Sequence, residues 1–263
     1  MALLRKVTTG YAILAGLLAA VELKPRTAQA FDEYVRRLES RLDEQQKGPT
    51  FLWADQAPDR AARLRQGQVL AESVTGKNAI AVPDGLIHDW IGAIFIPGVS
   101  LDQVLRLVED YDHHKDVYKP EVIDSRLAGR SGNDFRIFLR LLKKKVITVV
   151  LDTWYDVRYM EIDKARWASR SHSTKIQEVE NAGKPNERAQ PPGNDHGFLW
   201  RLDSYWRFAE RDGGVYMECE AVSLTRDIPT GLGWMIEPIV RQLPKESLVN
   251  TLRKTRDALG SNR

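Results

Sequence analysis

The chain has 263 residues, 43% of them hydrophobic and 29% charged, with 18 Gly, 12 Pro and a single Cys. These proportions exclude collagen-like, low-complexity and disulfide-scaffold chains, and the length suffices for one domain with a buried core. The formal charge of +3 is no sign of nucleic-acid binding, because Arg5, Lys6, Lys24 and Arg26 stand against Glu22 alone at the N-terminus and the rest is formally neutral.

The first segment has the order of a secretory signal. Arg5 and Lys6 precede an apolar run from Tyr11 to Val21, and a polar stretch ends in Ala28, Gln29 and Ala30 before Phe31. Small side chains at Ala28 and Ala30 suit signal peptidase, so cleavage is expected after Ala30 and the product is expected to be periplasmic or secreted. The alternative is a chain anchored in the membrane by an uncleaved signal, since Glu22, Lys24 and Arg26 make the cleavage region unusually charged. The apolar run is shorter than the roughly 20 residues of a spanning helix.

From Phe31 the apolar residues Phe31, Tyr34, Val35, Leu38 and Leu42 recur at helical intervals among charged ones, which predicts an amphipathic helix ending at Gly48 and Pro49. It either packs on the domain or lies on a membrane surface or partner. A weaker helical segment over Asp59 to Gln68 leads into the first strand. Ala79 to Val82 and Leu86 to Ile96, joined by Pro83, Asp84 and Gly85, read as a hairpin. Ser100 reads as the N-cap of a helix with Leu101, Val104, Leu105 and Val108 on one face, ending before Pro120. Strand patterns follow at Val122 to Leu127, Phe135 to Leu142, Val146 to Met160, Arg166 to Val179, Phe198 to Glu210 and Val215 to Thr225. Asn181 to Gly197 is a long polar loop. Pro244 is expected to begin a final helix bearing Leu248, Val249, Leu252 and Leu259 on one face. The connection before it, Ile228 to Leu243, is apolar enough to cover something.

A strand pair, a helical crossover, a run of antiparallel strands and a long C-terminal helix is the element order of the helix-grip fold. The stretch from about Ala79 to Leu259 resembles the START-like (SRPBCC) superfamily of polyketide cyclases, coenzyme Q-binding proteins and lipid-transfer domains. The closest echoes are Val104 to Tyr111 running into Tyr118 to Val122, and Glu218 to Pro229 ahead of the final helix. The resemblance implies an α+β domain whose curved antiparallel sheet wraps the C-terminal helix around an apolar cavity for a hydrophobic small molecule or lipid. It carries over no catalytic residue. The expected division is a signal over 1–30, an N-terminal helical extension over 31–76 and the helix-grip domain over 77–263.

Strand alternation then selects inward-facing residues. Phe198, Trp200, Leu202, Ser204, Trp206 and Phe208 share a face, as do Ile147 to Tyr159 at alternate positions, and Val215, Met217, Cys219, Ala221 and Ser223. Tyr118, Tyr155, Tyr159, Trp200, Trp206 and Met217, with Trp234 and Met235 from the apolar connection, are therefore the candidate ligand-binding residues. The bland reading is that they fill a solid core. Asp110, Asp112, His113, His114 and Asp116 are read as a solvated helix end, with His114 and Tyr118 on a shared face that either could turn into a cavity; no metal or cofactor is expected. Lys143, Lys144 and Lys145 are read as a solvated turn, with lipid phosphate as the alternative partner. Arg166, Arg170, His172 and Lys175 are expected to pair in part with Glu218 or Glu220. Cys219 is read as core.

The leading expectation is an exported, non-enzymatic, monomeric protein that binds or transfers a lipid or other hydrophobic molecule, with transient membrane contact and no nucleic acid. The alternative is a cyclase or aromatase-type enzyme working in the same cavity.

Overall fold

The structure is a computed structural model that describes residues 21–144, 148–191, 194–227 and 233–260, with side chains in the last stretch from 242 onward. Helix α1 spans Pro25–Lys47, a 3-10 turn Trp53–Gln56, and α2 Pro58–Arg65. Strands β1 (Leu70–Ser73), β2 (Ile80–Val82) and β3 (Gly85–Pro97) follow. The crossover comprises α3 (Leu101–Glu109), a 3-10 turn Tyr111–His113 and α4 (His114–Val117). After it come β4 (Val122–Ser131), β5 (Asp134–Lys144), β6 (Thr148–Asp163), β7 (Arg166–Glu180), β8 (Arg188–Ala189), β9 (Arg201–Arg211) and β10 (Gly214–Arg226), closed by α5 (Gly233–Gly260).

The main sheet runs β1-β3-β10-β9-β7-β6-β5-β4, with β2 on β3 and β8 on β7, and all its pairings are antiparallel. β3 lies next to the β1 end of the order and β4 at the other end, so the α3–α4 crossover spans the sheet between them. Helix α5 packs back on β1, β3 and β10. This is the helix-grip α+β fold.

Local chemistry accounts for the elements. The β2–β3 hairpin turns at Asp84, whose φ of 55° is tolerated by Asp better than by most non-glycine residues. Ser100 caps α3 by accepting from the Gln103 amide, and Gln103 returns the bond in a capping box. β3 is buried at every position from Gly85 to Ile96, as a strand covered on both faces must be.

One face of the sheet meets α3 and α5 through Trp90, Ile94, Val104, Val108, Phe208, Met217, Leu248 and Leu252. The outer face is covered by the N-terminal extension. Phe31, Leu38 and Leu42 of α1 pack on Ile87, Tyr205, Val222 and Leu224, while Phe51, Leu52, Trp53 and Leu64 pack on Ile91, Phe95, Ala209 and Tyr216. The apolar face of α1 is thus taken up by the sheet, which leaves only its polar face for a membrane or partner.

Several expectations are corrected. α1 begins at Pro25, six residues before Phe31, because Pro at the first turn is pre-shaped for a helix and Thr27 is buried beneath it. Thr27 Oγ1 donates to the Pro83 carbonyl at 2.7 Å, and Lys24 and Arg26 pair with Asp84. Strand β1 lies ahead of the predicted hairpin; its four residues are too few to show alternation. α5 starts at Gly233 rather than at Pro244, which lies inside the helix: a proline removes one ladder bond there but does not end a helix held by tertiary packing. Residues 228–232 of the apolar connection lie outside the described residues. Arg170 and His172 pair with Asp43, Glu39 and Asp203, and Arg166 with Asp163, while Glu218 and Glu220 pair with Arg207 and Arg41. The carboxylates of α1, more than a neighbouring strand, supply the partners for β7.

Candidate functional site

Between the concave face of the sheet, the crossover and α5 lies a cavity of about 680 Å³. Its wall is mostly apolar: Leu139 and Leu141 of β5, Leu151, Tyr155, Val157 and Tyr159 of β6, Leu202, Trp206 and Phe208 of β9, Met217, Cys219 and Ala221 of β10, and Leu248 of α5. A volume in the hundreds of cubic ångströms with few polar groups is the ordinary form of a small-molecule site.

The cavity exists because strand alternation places mixed sizes on one face. Register aligns Val157, Ser171, Ser204 and Ala221 across β6, β7, β9 and β10, and in the next row Tyr159, Ser169, Trp206 and Cys219. Ser171, Ser204 and Ala221 in the first row, and Ser169 and Cys219 in the second, are small and leave room that Val157, Tyr159 and Trp206 do not fill.

Polar groups gather where the crossover meets β6 and α5. The Tyr111 and Tyr159 hydroxyls lie 3.0 Å apart, and Tyr159 donates to the Val108 carbonyl at 3.3 Å. Tyr118 OH lies 3.1 Å from Thr255 Oγ1, and His114 Nε2 lies 3.1 Å from the same Val108 oxygen. Burial pushes His114 down to about 4, so its imidazole is neutral at physiological pH, and pushes the Tyr155 phenol up to about 12. Burial likewise raises Tyr159 and the Cys219 thiol. The buried polar wall is therefore uncharged near neutrality.

Charged lining residues reach solvent. Lys119, Lys254 and Asp227 are exposed, and Glu121, Lys143 and Arg226 are partly so. Lys143 pairs with Glu121 and donates to Ser247 Oγ at 2.7 Å, and Asn250 Nδ2 donates to Glu121 Oε1 at 2.7 Å. These contacts tie α5 to β5 and to the segment before β4 along the edge of the cavity.

Of the residues singled out from sequence, Tyr118, Tyr155, Tyr159, Trp206 and Met217 line the cavity. Trp200 does not. It precedes β9, where alternation no longer governs, and it is buried in the outer cluster with Phe31 and Leu224, its Nε1 donating to Asp195 at 3.1 Å. The side chains of Trp234 and Met235 lie outside those described. His114 enters the cavity, whereas His113 is exposed and bonds Asp110. Among the described residues no three potential ligands gather around a metal position.

Sequence reasoning passed over Ser169 and Ser171 of β7. The signal was present: in Ser169-Arg170-Ser171-His172 small hydroxyls alternate with large polar residues, so the small ones face inward.

No protein-family model matches the chain, and no curated protein matches it at a significant level. Among solved structures it is similar to a STAR-related lipid transfer protein from Xanthomonas axonopodis, at TM-score 0.45 and 16% identity over 69% of this chain and 96% of that one. A START superfamily protein from Mycobacterium smegmatis aligns at TM-score 0.45 and 9% identity over 67% and 99%. An aromatase/cyclase from a Streptomyces strain aligns at TM-score 0.42 and 10% identity over 66% and 94%. The strand order and the helix gripped by the sheet are those of the helix-grip fold.

Proposed function

We propose that this protein is an exported carrier that binds, and passes on, a lipid or other hydrophobic small molecule held in the cavity under α5. The observation that carries the reading is the cavity itself: about 680 Å³ of interior space walled by Leu, Val, Tyr, Trp and Met side chains in a domain otherwise packed on both faces of its sheet. An apolar void of that size is costly unless something occupies it. The carrier is put ahead of a cyclase or aromatase because the wall is mostly apolar; His114, Tyr118 and Tyr159 are the groups through which a cyclase would have to act.

Export is supported by the charged and apolar order of the N-terminus, whereas Ala28 and Ala30, the small residues expected at the cleavage site, lie inside α1. The leader is best ended ahead of Val21, since the Val21 amide donates to the Asp195 carbonyl at 2.8 Å and the residues after it belong to the fold. The chain is proposed to act as a monomer that touches a membrane transiently to load or release its cargo.

The test is native mass spectrometry of the protein purified from the compartment that receives it, alongside titration with the neutral dye N-phenyl-1-naphthylamine. A co-purifying hydrophobic molecule, or one dye per chain displaced by lipid extract, is expected. Ala221→Leu, which projects into the cavity, is expected to abolish dye binding while the fold persists. A protein that retains nothing and binds no dye has no carrier function.

A further inference from the structure

The cavity wall also narrows the chemistry of its occupant. Ser169 of β7 is 1% exposed and lines the cavity, yet its Oγ has no hydrogen-bond partner. A buried hydroxyl without a partner has given up its bonds to water for nothing, so such groups are scarce in folded proteins and call for a bonding partner. The adjacent hydroxyls are engaged: across the β6–β7 pair stands Tyr159, which bonds Tyr111 and the Val108 carbonyl. Across the β7–β9 pair stands Trp206, whose ring lies alongside Phe208 with the centroids 6.3 Å apart. Ser171 and Ser204, paired with each other one row on, face the same space.

Among the described residues no charged side chain stands beside these groups. The cationic and anionic residues of the wall are the solvent-facing ones, so a carboxylate or phosphate seated at Ser169 would be desolvated with no counter-charge beside it. A saturated hydrocarbon seated there would leave Ser169 unsatisfied.

We propose that the cavity is built for an uncharged amphiphile, a hydrocarbon body carrying one hydroxyl or carbonyl group that bonds Ser169 Oγ at the buried wall. This rests on the carrier reading and adds the ligand class to it. Ser169 donates to a carbonyl, or exchanges donor and acceptor roles with a hydroxyl, while the aromatic and aliphatic wall holds the apolar remainder.

The experiment is displacement of N-phenyl-1-naphthylamine by 1-dodecanol, dodecane and dodecanoate, each delivered from cyclodextrin, for the full domain and for Ser169→Ala. Comparing each probe between the two proteins cancels the differing hydrophobicity of the probes. Ser169→Ala removes one unbonded oxygen, and an unchanged melting temperature confirms its fold. It is expected to weaken dodecanol about fivefold, the loss of one hydrogen bond, and to leave dodecane unchanged. Dodecanoate is expected to bind more weakly than dodecanol at pH 8. Equal effects of Ser169→Ala on alcohol and alkane, no effect on either, or dodecanoate binding the tighter, would overturn this ligand class while leaving a carrier. Failure of the dye and of every probe to bind the unsubstituted protein would overturn the carrier reading itself.

Discussion

Asp89 of β3 is buried on the outer face of the sheet, where it accepts a 2.6 Å hydrogen bond from Tyr34 OH of α1 while its second oxygen has no partner. Glu220 of β10 is buried on the same face and pairs with Arg41 of α1. Burial, and then the neighbouring Glu220 charge, push Asp89 up to about 8, against the lowering effects of Tyr34 and Arg41. Its folded value lies above the ordinary carboxylate value of about 4, so the folded state holds a proton that the unfolded chain releases. Stability from this group is therefore complete below about pH 4 and is lost as pH rises through 8. Asp89→Asn, which keeps the shape without the charge, is expected to be nearly neutral at pH 4 and to raise the melting temperature by at least about 2–4 °C at pH 8.5, measured by thermal denaturation at both pH values. Little of this was legible in the sequence. His88 and Asp89 there are two polar residues in an apolar run, and only the docking of α1 makes the Asp89 proton a structural matter. Ser169 differs, since its inward direction follows from alternation and only its lack of a partner needed the tertiary structure.

At the scale of elements, α5 lies close over Gly92 of β3. A Cβ there would lie 2.9 Å from Leu252 Cδ1 and 3.1 Å from Leu248 Cδ2, with the Leu70 carbonyl also at 3.1 Å. Gly92→Val is expected to lower stability by about 1–3 kcal/mol through overpacking, read as a smaller midpoint in urea with an unchanged slope. Helix α1 carries a second prediction. A chain starting at Phe31 loses the Thr27 to Pro83 bond, the Asp84 ion pairs and the first turn of the helix. It is expected to melt several degrees below a chain starting at Val21, and N-terminal sequencing of the exported protein is expected to find residues ahead of Phe31. The helices and the hairpin were legible because capping, turn residues and period are local: Ser100, Asp84 and the Phe31-to-Leu42 spacing each announce themselves. The start of α5 was not. Pro244 looks like a beginning because proline favours first turns, and only packing against β3 shows that the helix runs through it.

For the molecule as a whole, the edge of the cavity is closed by the Lys143, Glu121, Ser247 and Asn250 contacts between α5 and the sheet. A partly exposed polar latch of this kind contributes up to about 1 kcal/mol. Lys143→Met is expected to speed release of N-phenyl-1-naphthylamine up to about fivefold in stopped-flow fluorescence, with little change in melting temperature. Saturation with a bound amphiphile is expected to stabilise the fold by mass action, about 2.7 kcal/mol at a hundredfold excess over the dissociation constant.

The sequence by itself determined the order and type of most elements, the antiparallel strand succession and the inward residues of β6, β9 and β10. Those follow from turn chemistry and from a side-chain period that each segment carries alone. The tertiary structure decided which of these faces encloses a void, that Trp200 belongs to the opposite side of the sheet from Trp206, that α1 spends its apolar face on the sheet, and that the carboxylates of α1 answer the bases of β7. Each of these depends on pairing between segments far apart in the chain, where register and packing, rather than local pattern, set what a side chain meets.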